Sequence, residues 1–201
     1  IVAMQEPDGA LPWFPGGKTD PWDHVESAMA LSASGFLAQA RAAYEWSAHT
    51  QRADGSWPIE VRRGHVVDPG VDSNFCAYIA VGVRHHYLIT GDEAFLWSMW
   101  PTVRVAIDRV VMFQRDDGAF RWAACHETGA MFDEARITGN ASIYSALCCA
   151  LAIAEEIGKV LGMEGAVLDV WDVAKWPVIA LVVSGIIAVL YWGAPNVRHK
   201  G

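Results

Sequence analysis

Three short stretches of the chain place carboxylates beside aromatic side chains. Asp20, Asp23 and His24 follow Trp13 and accompany Trp22, Asp68, Asp72 and Asn74 follow Trp57, and Asp133, Asn140 and Ser142 follow Phe120. Paired carboxylates of this kind can divide the work of glycoside hydrolysis. One protonates the glycosidic oxygen, the other activates water, and indole rings stack on sugar faces. The expected catalytic group is Asp20, Asp23, His24, Asp68 and Asp72, and the expected substrate-binding group is Trp13, Trp22, Trp57, Asn74 and Asn140. The same residues admit a second chemistry, in which a protonated Asp starts a carbocation from a polyprenyl chain and aromatic faces stabilise it. Capping gives an equally good account of Asp23 and Asp72, because a carboxylate at a helix start satisfies orphan NH groups and favours the positive end of the dipole.

These residues need elements that bring them together, and a repeat supplies them. Gln-x-x-Asp-Gly occurs at Gln5–Gly9, Gln51–Gly55 and Gln114–Gly118. Repeats of this size are stacked supersecondary units. A helical pattern over Phe36–Thr50 precedes the second copy, and one over Pro101–Phe113, opening with Pro at a first-turn position, precedes the third. Each copy therefore closes an outer helix: Asp-Gly provides the positive-φ residue, and the Gln can bond freed carbonyls of the last turn. Inner helices then start near Asp23, Asp72 and Asn140, and His24–Leu31, Phe75–Leu88 and Ile143–Ile157 are apolar on more than one face. The expected fold is all-α, a partial α/α-hairpin toroid of about three hairpins over residues 1–157, with no sustained period-two alternation for a sheet. Inner helices starting on one rim would converge the acidic residues on a common cavity.

Arg41-Ala42, Trp46, Gln51, Gly55 and Trp57 fit a QW-like motif, with Ser47 at its aliphatic position and Phe120 replacing Trp in the third copy. Together with Pro12-Trp13-Phe14-Pro15-Gly16-Gly17 and Thr19-Asp20-Pro21-Trp22-Asp23-His24, these residues resemble the actinobacterial prenyltransferase or squalene-cyclase-like toroid proteins. The same toroid is shared with six-hairpin glycosidases. The resemblance implies a polyprenyl or carbohydrate substrate; the Asp-x-Asp-Asp acid motif of squalene cyclases is missing, since Asp116-Asp117 belongs to a repeat turn. Half a toroid leaves its cavity open to water, so the segment is expected to be inactive in this form, with a glycan-binding module as the non-enzymatic alternative. The tail from Ile157-Gly158-Lys159 to Val197-Arg198 resembles one spanning segment of the YihY/virulence factor BrkB membrane proteins, which implies a fusion or fragment whose function lies in the membrane.

Composition sets the outer limits. The 201 residues carry 15 Lys+Arg against 23 Asp+Glu, a net charge of -8, and offer no basic footprint for nucleic acid. With 53% hydrophobic residues and 10 Trp, the chain can fill a core. Residues 158–175 read as an amphipathic linker, 176–194 as a charge-free transmembrane helix with aromatics at both ends, and 195–201 as a short basic tail. The expected partners are a lipid bilayer and a small carbohydrate or polyprenyl substrate, with helix–helix association in the membrane near Ser184 and Gly185. Without a signal-peptide pattern, the expected location is a single-pass membrane protein with the toroid segment in the cytoplasm. Four cysteines without a CxxC pair read as reduced core thiols. Asp72, Cys76 and His85 or His86 would have to converge from separate elements to hold zinc, and Gly16-Gly17 lacks the Lys-Ser/Thr of a phosphate loop. No metal or cofactor is expected.

Overall fold

A computed structural model describes residues 1–160. A 3₁₀ turn at Val2–Met4 is followed by α1 (Pro21–Ala33), α2 (Leu37–Thr50), β1 (Glu60–Arg62), β2 (His65–Asp68), β3 (Val71–Asp72), α3 (Ser73–Thr90), α4 (Glu93–Val111), β4 (Ala123–Ala124) and α5 (Ile137–Val160). Helix α3 lies between α1 and α5 in an inner row, while α2 packs on α1 and α4 packs on α3 and α5 as an outer row. The expectation of a mostly helical chain with alternating inner and outer helices holds. The presumed linker from 158 onward begins inside α5, and the segments at 161–175, 176–194 and 195–201 lie outside the described residues.

The inner helices start on side-chain caps. Asp20 accepts from the Asp23 amide at 2.9 Å with Pro21 in the first turn, and Asp72 accepts from the Asn74 and Phe75 amides at 2.8 and 3.1 Å. Between the rows, fully buried Tyr44 of α2 donates to the Gly82 carbonyl of α3 at 2.9 Å, and Gly82 lies against Val25 and the Tyr44 ring. A side chain at position 82 would force these three helices apart.

The repeat has a more specific use than closing its own helix. Gln5 Nε2 donates to the Gly9 carbonyl at 3.1 Å and to the Gln39 carbonyl of α2 at 2.8 Å; Gln51 Nε2 donates to Gly55 at 3.1 Å and to Thr102 of α4 at 3.0 Å. Gln114 Nε2 reaches the Gly118 carbonyl at 3.0 Å. In the first two copies the amide thus closes the Asp-Gly turn and pins it to the following outer helix. Asp8 and Asp54 complete each turn through the amide two residues on. Gln51→Ala removes two hydrogen bonds made to main-chain carbonyls and is expected to cost about 1–2 kcal/mol. Urea unfolding measures this, and a loss below the error of the extrapolation would show that the clasp is energetically idle.

The connecting loops are tied in series. Thr19 and Val61 exchange amide-to-carbonyl bonds at 2.8 and 2.9 Å, linking the first loop to the β1–β2 hairpin. β3 pairs with β4 in antiparallel register, Val71 opposite Ala124 and Asp72 opposite Ala123, and the Ser73 amide donates to Trp122. These short strands are the departure from the all-α expectation. They form because the loops must satisfy each other's backbone groups where they cross the rim.

Two other expectations change. Helix α4 opens at Asp92, whose side chain accepts from the Phe95 amide at 2.8 Å, and Pro101 lies inside it, on the exposed face. The buried series Phe95, Leu96, Met99, Val103 and Ala106 sustains the helix past a proline that removes one intrahelical bond. Of the cysteines, Cys76 is a buried thiol pushed up to about 12 by desolvation, whereas Cys148 is exposed on the outward face of α5. Ile137–Lys159 is long and apolar enough to cross a membrane, but Ile143, Leu147, Ala150, Ile153 and Ile157 are buried in the core with α3.

Candidate active site

The charges of Asp20, at the start of α1, and of Arg136, just before α5, both act on the Asp72 carboxyl at the start of α3. Asp20 is the centre of the first part of this rim. It is 1% exposed; Oδ1 takes the Asp23 amide, Oδ2 takes Trp13 Nε1 at 2.8 Å, and Lys18 Nζ lies 3.4 Å away. With both oxygens occupied, Asp20 positions its neighbours. Lys18 also covers the Trp13 ring at 3.7 Å from its centroid, and the indole is otherwise half exposed. Trp13 is thereby held as an aromatic platform beside the carboxylates.

Asp23 stands in the first turn of α1, half-buried. Desolvation, the adjacent Asp20 charge and its hydrogen bond with Asp20 raise its pKa to about 6, against a lowering contribution from Trp13 Nε1. A carboxyl so placed is substantially protonated near pH 6 and can donate to a leaving oxygen. Because the folded pKa is raised, Asp23 contributes stability that is fully present below its unfolded value near 3.8 and is lost as pH rises through about 6. A carboxyl-carbon NMR titration is expected to place its midpoint near 6, and a midpoint below 4.5 would remove it as an acid. Asp20→Asn removes one cause and is expected to lower that midpoint.

One turn along α1, Glu26 Oε1 accepts from Tyr78 Oη at 3.1 Å, and Tyr78 stacks on Trp22 with centroids 3.7 Å apart. Burial and the Glu26 carboxylate push the Tyr78 hydroxyl up to about 12, so it remains a donor. Glu26 and Tyr78 escaped the sequence reading. Glu26 is three residues from Asp23 and shares its helix face, which was the available signal; Tyr78 reaches the rim only because α3 packs on α1.

The remaining expected residues divide by position. His24 is buried among backbone groups: Nδ1 accepts from the Leu11 amide at 3.1 Å, so Nε2 carries the proton to the Ala43 carbonyl at 2.9 Å, and burial lowers its pKa to about 4. It joins the first loop to α1 and α2 as a neutral ring, with no nitrogen left for substrate. Trp57 is 3% exposed and donates to the Ser47 carbonyl at 2.8 Å, so its faces pack in the core and cannot receive a sugar. Asp68, on the exposed hairpin, closes its own turn through the Gly70 amide at 2.8 Å. Asp72 caps α3 through Oδ1, and desolvation raises its pKa. Asn140 clamps Phe120 through amide and carbonyl at 2.7 and 3.0 Å and bonds Arg136 as well. Asn74 has Oδ1 buried without a partner. Among the described residues, no group of three or more His, Cys, Asp or Glu side chains is arranged to hold a metal ion.

Comparison with known proteins revises the chemistry. No family model matches the chain. It is 55% identical over 159 residues to the MMP endo-(1,4)-3-O-methyl-alpha-D-mannosidase of Mycolicibacterium hassiacum, an alignment covering 79% of this chain and 44% of that enzyme. The chain thus spans less than half the length of this relative. A crystal structure of D-mannose isomerase superposes with a TM-score of 0.59 at 12% identity, over 89% of this chain and 42% of that one, and so shares its helical fold. These similarities overturn the prenyltransferase and terpene-cyclase reading and the YihY/BrkB reading, and leave the lipid bilayer and membrane helix association without support. The physical reason lies in the motif itself: Trp46 donates to Asp8, Gln51 clasps α4 and Trp57 is buried, so the QW-like residues report hairpin packing and carry no reaction. The carbohydrate alternative is the part that stands.

Proposed function

We propose that residues 1–160 form the carbohydrate-binding, acid-bearing part of a helical toroid that cleaves α-mannosides internally, as the name of the mannosidase relative describes. The observation that carries this reading is the protonatable Asp23 held by Asp20 beside the half-exposed Trp13. Trp13 takes the apolar face of a pyranose ring, Asp23 protonates the departing glycosidic oxygen, and Glu26 and Tyr78 bond hydroxyls of the adjoining sugar. Asp20 and Lys18 act through Trp13 and Asp23 as positioning residues. We assign no base: Asp20 has both oxygens engaged, Asp68 closes a turn and Asp72 caps α3, so the second carboxylate that hydrolysis needs is not drawn from these three.

The test is incubation of a chain that carries this segment at the full length of its mannosidase relative with α-(1,4)-linked 3-O-methylmannose oligomers, with maltooligosaccharides and a polyprenyl diphosphate alongside, followed by mass analysis. Shortened methylmannose oligomers with the others intact are expected. Turnover of the polyprenyl diphosphate alone would overturn the reading, and methylmannose binding without shortening would reduce it to a binding module.

A further inference from the structure

The connection from α2 to α3 carries an apolar surface that the packing of the helices leaves uncovered. All four residues of β2 are exposed, and Val66 and Val67 each keep 54% of their surface. Phe14, beside Trp13 in the first loop, keeps 58%. The two segments run side by side: Thr19 and Val61 exchange main-chain bonds, Val61 stands opposite Val66 in the hairpin register, and the Arg63 guanidinium lies against Gly16. Residues directly opposite on antiparallel strands share a sheet face, so Thr19, Val61 and Val66 form one row across three segments. That row begins one residue from Asp20, and the turn that holds Phe14 is closed by the Trp13 amide on the Lys18 carbonyl at 2.9 Å. The apolar surface is therefore continuous with the candidate site. Contiguous exposed apolar side chains bordered by charges mark places where something binds.

The construction of the hairpin selects among occupants. Glu60 pairs with Asp68 and Val61 with Val66, so Val67 is an extra residue in β2, and Arg62 and Arg63 stand at the hairpin end. A bulge and neighbouring charges keep an edge strand from accepting another strand, which leaves the side chains as the contact surface. Within the substrate class proposed above, Trp13 receives the C–H face of a pyranose whether or not the sugar is methylated, and Asp23, Glu26 and Tyr78 address its oxygens. None of these groups rewards a methyl ether, which has exchanged a hydroxyl donor for an apolar group. Valine and phenyl side chains do, and they penalise a free hydroxyl that would lose water there. The name of the mannosidase relative specifies a 3-O-methyl mannoside.

We infer that Val66 and Val67 of the β1–β2 hairpin, with Phe14 of the first loop, are the specificity-determining residues that read the O-methyl groups of the glycan chain. The inference rests on the carbohydrate reading above and adds to it the distinction between methylated and free mannose chains. These side chains touch the substrate away from the bond cleaved at Asp23. Their contribution is to binding and orientation of the chain, and proton transfer does not depend on them.

The test compares, by calorimetry, the affinity of the 201-residue protein for α-(1,4)-linked 3-O-methylmannotetraose and for the same tetraose without methyl groups. The methylated chain is expected to bind about fivefold to tenfold more tightly, the gain from placing methyl groups against apolar side chains. Val66→Thr combined with Val67→Thr keeps the shape and β-branching of an exposed strand while replacing methyl by hydroxyl. It is expected to bring the ratio below about twofold by weakening the methylated ligand alone. Phe14→Ser is the second variant, at a separate segment, and is expected to reduce the ratio in the same direction. Equal affinities for the two tetraoses in the unsubstituted protein, or an unchanged ratio in both variants, would overturn the assignment and leave the carbohydrate reading standing. Failure to bind either tetraose at millimolar concentration would overturn both.

Discussion

Asp23→Asn is expected to lower the rate of internal mannoside cleavage by about 10²–10⁴-fold while changing substrate affinity little, the range a positioned general acid contributes. The measurement belongs in a chain that carries this segment at the full length of its mannosidase relative. The amide preserves the shape of the carboxyl and removes only the transferable proton, so the loss should fall on kcat. Its pH dependence is the sharper readout. An acid must be protonated to act, so kcat of the unsubstituted chain should decline as pH rises above about 6, the value to which burial and Asp20 bring Asp23. Asp20→Asn should move that decline to lower pH, because it withdraws the negative charge that disfavours ionisation of Asp23 while an amide oxygen still caps α1. A purely structural Asp23 would give an unshifted profile in both variants and a loss that tracks stability.

The largest expected effect on stability is at Gly55. Its φ is +86°, and a Cβ built there would stand 2.2 Å from the Val105 carbonyl oxygen and 2.7 Å from its carbon. Those are main-chain atoms of α4, held by a helix packed on α3 and α5, and cannot yield as a flexible side-chain end would. Gly55→Ala therefore combines left-handed backbone strain with separation of the turn from the helix that Gln51 clasps, and is expected to cost about 3 kcal/mol or more. Gly9→Ala should behave similarly, since its Cβ would lie 2.3 Å from the Ala42 carbonyl oxygen of α2. Gly35→Ala is the control: φ is +81° but nothing lies within 4 Å, leaving only the conformational strain of about 1–2 kcal/mol. Urea unfolding of the three variants separates the terms, and equal losses at Gly55 and Gly35 would disprove the close-approach argument.

The two predictions draw on different kinds of information. That positions 5, 51 and 114 are equivalent, that helices end before them and begin at Asp20, Asp72 and Asp92, is a local matter. Caps, positive-φ turns and apolar spacing are fixed by neighbours in the chain, so these features stand in the sequence even where one was passed over, as Asp92 was in favour of Pro101. The partners of those features are not local. Gln51 has a second acceptor 51 positions away in α4, and the Gly55 turn needs to be small because of a carbonyl that no pattern near residue 55 mentions.

The same division runs through the candidate site. Residue type and spacing brought Asp20, Asp23, Trp13, Asp72 and Asn74 forward together with His24 and Trp57, and could not rank them, because burial sets both what a side chain can touch and where it titrates. Packing of α1 against α2 enclosed His24 among backbone partners and made it neutral. Packing of the first loop over α1 left Asp23 with a poorly solvated carboxyl next to an engaged Asp20. The sequence by itself determined a helical, repeat-built chain with an acidic, aromatic rim, since these follow from periodicity and composition. Only the tertiary structure decided which acid keeps its proton, which indole stays open and which amide oxygen lacks a partner, because desolvation and hydrogen-bond satisfaction depend on groups contributed by distant parts of the chain.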